Sequence, residues 1–282
     1  MVRIITDSAA DFEPAELEQM QITCIPLTVV FGQQEYHENK NLTKDRFYEL
    51  LMSSESFPKT SQASPQILLD LFEDTVKSGD EAIYITLSSG LSGTYQSAVM
   101  AQRLTGSEKC YAFDSRNGTG GQRIVVEYAT VLRDQGLSAA QIIEKLEAMR
   151  DRIELYACLD TLEYLHRGGR ISHLSYAMGT IANIKPIISV NKEGKVAVPA
   201  KVMGMRKGMA YLCKCPEKKN PDRSFPFYVM YTNNRSVAQL LAEKLRDTGI
   251  EVPEERIIQV GAAIGAHIGP EACGLVYVGE NE

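Results

Sequence analysis

Short apolar runs alternate with amphipathic stretches through the first half of the chain. Val2-Arg-Ile-Ile-Thr6, Ile22 to Phe31, Glu81-Ala-Ile-Tyr-Ile85, Lys109 to Phe113 and Ile153 to Cys158 have strand length and strand composition. Between them, Pro14 to Met20, Lys44 to Met52, Pro65 to Lys77, Tyr95 to Leu104 and Ile124 to Arg133 carry apolar residues at helical spacing, and Ser138 caps a further helix to Arg150. Pro26 marks an edge, a bulge or an entry point in the long second run, because proline cannot donate to a ladder. A short strand is expected near Tyr36 and His37. Asp11 or Ser8 is expected to cap the first helix, and Ser64 the helix that opens with Pro65. This alternation predicts an α/β fold with a mostly parallel sheet over residues 1–158, Ile153 to Cys158 being its last strand.

The second half reads differently. A short helix, Thr161 to Arg167, is stopped by Gly168-Gly169, and another is expected from about Ser172 to Ala182. Ile187 to Val190 and Lys195 to Ala200 flank Asn191-Lys-Glu-Gly194, a hairpin signal. Helices near Lys207 to Cys215 and Val237 to Asp247 interleave with strands Phe225 to Thr232, Arg256 to Val260 and Cys273 to Val278. The order predicts a second, α+β domain with a mixed sheet over residues 159–282, with a ligand held between or beside the two domains.

The chemistry concentrates in loops that follow strands, where open α/β sheets place ligands. Thr86-Leu-Ser-Ser-Gly-Leu-Ser-Gly-Thr-Tyr-Gln-Ser-Ala98 is rich in hydroxyls, and Thr60-Ser-Gln-Ala-Ser64 repeats that chemistry before another helix. Gly90 and Gly93 permit close backbone approach, and Ser92 can cap the next helix while facing an anion. The same junction also suits an ordinary strand, turn and capped helix. Asp114 to Gln122 is a third such loop, without a dinucleotide fingerprint or a Walker phosphate loop. Arg170 follows two glycines and can aim a guanidinium at an anion; His267 sits among small residues in Gly265-Ala-His-Ile-Gly-Pro270, read as a loop. Each also suits a plain role, a surface charge or a hydrogen-bonded packing residue.

Other classes are disfavoured. A net charge of −6 without a basic run argues against nucleic acid or anionic membrane. No apolar stretch is long enough to span a bilayer, and the chain enters a strand at once, which leaves no room for a signal peptide. The six cysteines lie mostly in apolar runs, consistent with reduced thiols in the cytoplasm; Cys213-Lys-Cys215 is too tight for a metal pair. Asp7 and Asp11 lack a third ligand nearby, and the four histidines lack convergent spacing, so no metal is expected.

The set Asp7-Ser-Ala-Ala-Asp11, Ile25-Pro-Leu27, Thr60 to Ser64, Ser88 to Ser97, Asp114-Ser115, Leu162 to Ser172, Lys185-Pro-Ile187 and Gly265 to Pro270 resembles the DegV family. These are bacterial fatty-acid-binding proteins that serve fatty acid kinase. The likeness runs in order from residue 5 to beyond 274; Ala63 replaces the usual proline and Glu271 a frequent glycine. The resemblance implies two α/β domains with a long acyl chain in a tunnel. It implies Thr60 and Ser92, helped by Ser61 and the Gly93 backbone, at the carboxylate, with His267 and Arg170 across from them, Arg170 toward the phosphate or the kinase. It further implies a carrier without catalytic residues or cofactor, monomeric or weakly dimeric, that presents its ligand to a separate ATP-using subunit. The residues alone leave two alternatives: a serine-dependent hydrolase or acyltransferase using Ser92 and His267, and a binding module for another small anion.

Overall fold

A computed structural model describes residues 1–172 and 183–281. The strands are β1 Val2–Asp7, β2 Ile22–Ile25, β3 Thr28–Phe31, β4 Gln34–His37, β5 Lys59–Ser61, β6 Glu81–Thr86 and β7 Cys110–Asp114. They continue with β8 Ile153–Leu159, β9 Ile184–Val190, β10 Val196–Met203, β11 Tyr228–Tyr231, β12 Ile257–Gln259 and β13 Ala272–Val278. The first sheet has four parallel strands in the order β2-β1-β6-β7. The second has six strands, β10-β9-β8-β13-β11-β12, antiparallel except where β11 meets β12. A small antiparallel sheet, β4-β3-β5, stands beside them. The fold is therefore mixed α/β, a parallel sheet followed by an α+β sheet.

The two larger sheets bury apolar residues on both faces, and helices cover them. Helices Pro65–Lys77 and Thr94–Thr105 cover one face of the first sheet through Leu68, Phe72, Ala98 and Ala101. Helices Thr119–Asp134 and Ala139–Arg150 cover the other, and their core continues onto Leu155, Met230 and Val276 of the second sheet. Helices Gly204–Lys218 and Arg235–Arg246 close the outer face of the second sheet around Leu212, Leu241 and Leu275. The middle helices thus serve two sheets at once, which fixes where the strand ends of one meet the face of the other.

Several sequence expectations change. Ile153–Leu159 does not end the first sheet: it pairs with β13 and β9 in the second, because its apolar residues match those strands in antiparallel register. The long run Ile22 to Phe31 divides at Pro26, leaving the first sheet after Ile25 and starting the small one at Thr28. Thr60 lies on a strand rather than in a loop, since Lys59–Ser61 pairs with β3. The helix expected from Ile124 begins at Thr119, running through two glycines that local propensity disfavours. Neither Ser8 nor Asp11 caps the first helix; Glu13 and Glu16 form its capping box. Ser64 holds the N-cap position of its helix without a side-chain bond to it. The helix expected from about Ser172 to Ala182 falls, apart from Ser172, outside the described residues.

His267 lies on a helix, Ala262–Ile268, not in a loop. Small residues hide its periodicity, and distant carboxylates supply its start. Asp11 accepts from Gly261 N–H at 2.9 Å, and Glu38 accepts from Ala262 N–H and Ala263 N–H. Both acids are buried, and desolvation pushes Asp11 up to about 6 and Glu38 up to about 7. Between the ordinary 4.5 and about 7 the folded chain holds a proton on Glu38 that the unfolded chain has released. This contribution to stability therefore grows as pH falls through that window. Thermal melts of wild type and Glu38→Gln at pH 7.5 and 5.5 test the sign. The difference in stability should move toward wild type on acidification, by at most roughly 1.4 kcal/mol per pH unit; movement the other way contradicts it.

Candidate functional site

A cavity of about 210 Å³ lies where the first sheet's strand ends face the second sheet. One wall is the second sheet, through Leu155 and Ala157 of β8, Ile188 of β9, Met230 of β11 and Ala272 and Gly274 of β13. The other is built from Leu87 and Leu91 of the loop after β6 and from Ala263, Ile264 and Ile268 of the His267 helix. The lining is mostly apolar. Two of its hydroxyls are already committed: Thr119 donates to Asp11, and Thr232 donates to Pro270 O at 2.7 Å.

The remaining polar groups gather around two short backbone segments, Thr60–Gln62 and Leu91–Gly93. Pairing with β3 holds Thr60 in place, and Thr60 Oγ1 lies 2.9 Å from His267 Nε2. The His267 ring packs on the backbone of Gly168, where a Cβ would stand 2.2 Å from Nδ1. Arg170 follows that glycine pair, donating from Nη1 to Gly168 O at 2.5 Å and from Nε to Leu91 O at 3.0 Å. Ser92 Oγ accepts from Thr94 N–H at 3.2 Å and lies 3.0 Å from Thr94 Oγ1, so it braces the start of helix Thr94–Thr105. Ser61 is exposed and lines the same mouth.

Burial, and secondarily the nearby Arg170 charge, push His267 down to about 4, so its ring is neutral at physiological pH. Its Nδ1 is buried without a hydrogen-bond partner among the described residues. Burial also lowers Arg170 from its ordinary value. A guanidinium nevertheless keeps its proton at neutral pH, and no carboxylate pairs with Arg170 among the described residues. Among the described residues the mouth therefore offers hydroxyl donors and a guanidinium that no carboxylate pairs, a setting for an anionic group at the end of an apolar body.

The structure gathers Thr60, Ser61, Ser92, Gly93, Arg170 and His267 along one cavity. It does not form a nucleophile and base from Ser92 and His267. His267 Nε2 faces Thr60 instead, and among the described residues its other nitrogen has no orienting carboxylate. Asp7 and Asp11 each accept hydrogen bonds from protein donors. Asp7 accepts from Leu87 N–H at 2.8 Å and from Gln122 at 3.1 Å, which pins the hydroxyl-rich loop to the end of β1. Asp114 supports the same loop, accepting from Ser89 N–H at 3.1 Å. Among the described residues no cluster of three histidine, cysteine or acidic side chains is placed to hold a metal, and no helix is long and apolar enough to cross a membrane. All six cysteines are free. The sequence does not distinguish Gln62 from its neighbours; its place within the hydroxyl-rich run Thr60 to Ser64 is the signal for it.

Comparison with known proteins identifies the family and the fold. The model of the DegV family, described as uncharacterised proteins, matches residues 1–280. A DegV domain-containing protein from Caldanaerobacter subterraneus subsp. tengcongensis is 32% identical, over 98% of both chains. Among solved structures, a DegV family protein from Thermus thermophilus described by its fatty-acid binding superposes with TM-score 0.89 at 25% identity, covering 99% of each chain. A stearic acid-binding protein from Eubacterium ventriosum gives TM-score 0.89 at 25% identity, over 99% of this chain and 98% of the other. DegV from Bacillus subtilis, described as a fatty acid binding protein, gives TM-score 0.84 at 29% identity over 99% of each.

The electrostatics of the mouth can be read directly. The His267 imidazole, followed by NMR, should titrate near pH 4, and Arg170→Gln should raise that midpoint by removing a neighbouring positive charge. Because the unfolded ring titrates near 6.5, the His267 contribution to stability is full above that pH and fades as pH falls toward 4. A midpoint above 6 in the wild-type chain would contradict the burial of the ring.

Proposed function

The chain belongs to the DegV family, and from that premise we propose that it carries one long-chain fatty acid. It presents the carboxylate to a separate ATP-dependent kinase, which makes the acyl phosphate in the cytoplasm. The observation that carries this reading is the apolar cavity with hydroxyls at its mouth and an arginine there that no carboxylate pairs among the described residues. Fatty-acid binding by solved relatives over nearly the whole chain supports it.

An acyl tail gains roughly 0.8 kcal/mol per methylene buried, so an apolar wall suffices to hold it. The head group needs more care, because a buried carboxylate without partners is costly. In this reading Thr60 and Ser92 donate to its oxygens, with Ser61 and the Gly93 backbone beside them. His267, neutral, supports Thr60 and supplies no charge; Arg170 balances the carboxylate and then the added phosphate, where a forked guanidinium is most effective. No side chain needs to act as nucleophile or base, since a carboxylate is already ionised near neutral pH. A head group held by hydroxyls at a mouth stays reachable, whereas one locked in a buried ion pair would not.

Lipid extracted from freshly purified protein should contain a fatty acid at near-stoichiometric level. Trace, random lipid together with no uptake of added palmitate or oleate would refute the carrier reading. Thr60→Ala and Ser92→Ala should each weaken acid binding by about 1–3 kcal/mol, the range for a lost donor to a charged group. Both variants binding like wild type would remove these residues from the head-group site.

Arg170→Ala separates holding from presenting. Its fatty-acid affinity should stay within about tenfold of wild type, with the tail carrying most of the binding, while acyl-phosphate formation with a cognate kinase and ATP slows much more. Equal turnover would take Arg170 out of the presenting step. Acyl phosphate made by the wild-type chain with ATP and no partner would overturn the assignment.

A further inference from the structure

The two halves of the proposed head-group site come from segments about 30 residues apart, β5 with the loop after it and the loop after β6. Their separation decides whether one carboxylate can meet Thr60 and Ser92 together. Gln62 is the side chain that spans them. Its Nε2 donates to Ser97 Oγ at 2.9 Å, in the first turns of helix Thr94–Thr105. Its Oε1 fills the space beside Gly93, where a Cβ would stand 1.9 Å away. The next residue adds a parallel tie, Ala63 N–H donating to Thr94 Oγ1 at 3.4 Å, and Thr94 Oγ1 lies 3.0 Å from Ser92 Oγ.

We propose that Gln62 is a positioning residue that sets the spacing of Thr60 and Ser92, and so gives the cavity its preference for a carboxylate over an uncharged head group. Gly93 is the other half of the device. Its lack of a side chain leaves the space that the Gln62 amide fills, and a Cβ there would displace that amide. Gln62 lines the cavity, but its Nε2 is engaged by Ser97 Oγ and its Oε1, an acceptor, packs beside the Gly93 backbone, so it acts through the two hydroxyl residues rather than on the acid. The role is separable from stability because Gln62 is exposed, and truncating it opens no core.

This inference rests on the fatty-acid reading, and the experiment keeps the two apart. Affinities for palmitate and for hexadecanol, which share a tail and differ in head group, are measured on wild type, Gln62→Ala, Gly93→Ala and the double variant. Gln62→Ala should lower the acid-to-alcohol preference by about tenfold while leaving alcohol affinity near wild type, as expected when donors lose their common geometry. Gly93→Ala alone should lose acid affinity, since its Cβ displaces the amide. In the Gln62→Ala background the same change should cost little more, because coupled neighbours are non-additive. Should Gly93→Ala fail to fold, the preference measured on Gln62→Ala still decides. An unchanged preference, or equal losses for acid and alcohol, overturns the role of Gln62. Additive effects of the two substitutions overturn the coupling. A wild-type chain that takes up neither ligand instead fails the fatty-acid reading itself.

Discussion

Asp11 is the constraint on which the rest of the structure depends. It is buried just past the short turn Ser8–Ala10 that follows β1, and its carboxylate takes the Gly261 N–H and the Thr119 hydroxyl. Its main-chain carbonyl accepts from Lys44 Nζ at 2.8 Å and from Arg123 at 3.4 Å. One residue thus joins the first sheet, the helix between the sheets and the helix that carries His267. Taking a carboxylate out of water is unfavourable, which is why burial pushes this acid up to about 6. Directional bonds from Gly261 and Thr119, with the Lys44 charge nearby, offset that cost and hold the cavity wall in place.

A second polar knot stands behind it. Arg123 is buried, pairs with Glu16 and with Glu127 at 3.1 Å, and stacks over Phe12 at 4.3 Å and Tyr228 at 5.2 Å. Tyr228 donates to Glu127 at 2.5 Å, and Arg256 donates to the same phenol oxygen. The cluster ties the first helix, the middle helix and β11, so the sheets meet through specific contacts as well as a shared apolar core. Removing one partner of such a group leaves a buried charge uncompensated, which costs more than the pair contributes.

Against this rigid background the cavity mouth is sparsely tied. Thr60 sits on a three-residue strand, Ser92 on a loop, and Arg170 bonds only main-chain carbonyls among the described residues. The contrast follows from the work proposed for each region. An apolar wall holds a tail by contact area and benefits from close packing. A head group that must be reached by another protein requires donors that are aligned yet not sealed away.

The sequence by itself determined the elements and the chemistry of the loops. Segments with strong periodicity fold as their spacing predicts, Pro65 to Lys77 over that range and Glu81 to Ile85 and Val237 to Asp247 to within two residues at each end, because their apolar faces have one stable placement. The hydroxyl pairs, Arg170 and His267 were legible as candidates from residue type and from position after strands, turns and glycines, and the resemblance assembled them into one site. Tertiary structure decided everything that depends on partners distant in the chain. β8 joined the second sheet because β13 and β9 match its register, and no local signal distinguishes the two sheets. Thr60 became a strand residue through β3, and Ala262–Ile268 became a helix through Asp11 and Glu38. Whether His267 faces Ser92 or Thr60 was decided in the same way, by Gly168 leaving room for its ring. Local propensity reports on neighbours within a few residues, whereas each of these outcomes is fixed by hydrogen bonds or contacts across dozens to hundreds of positions.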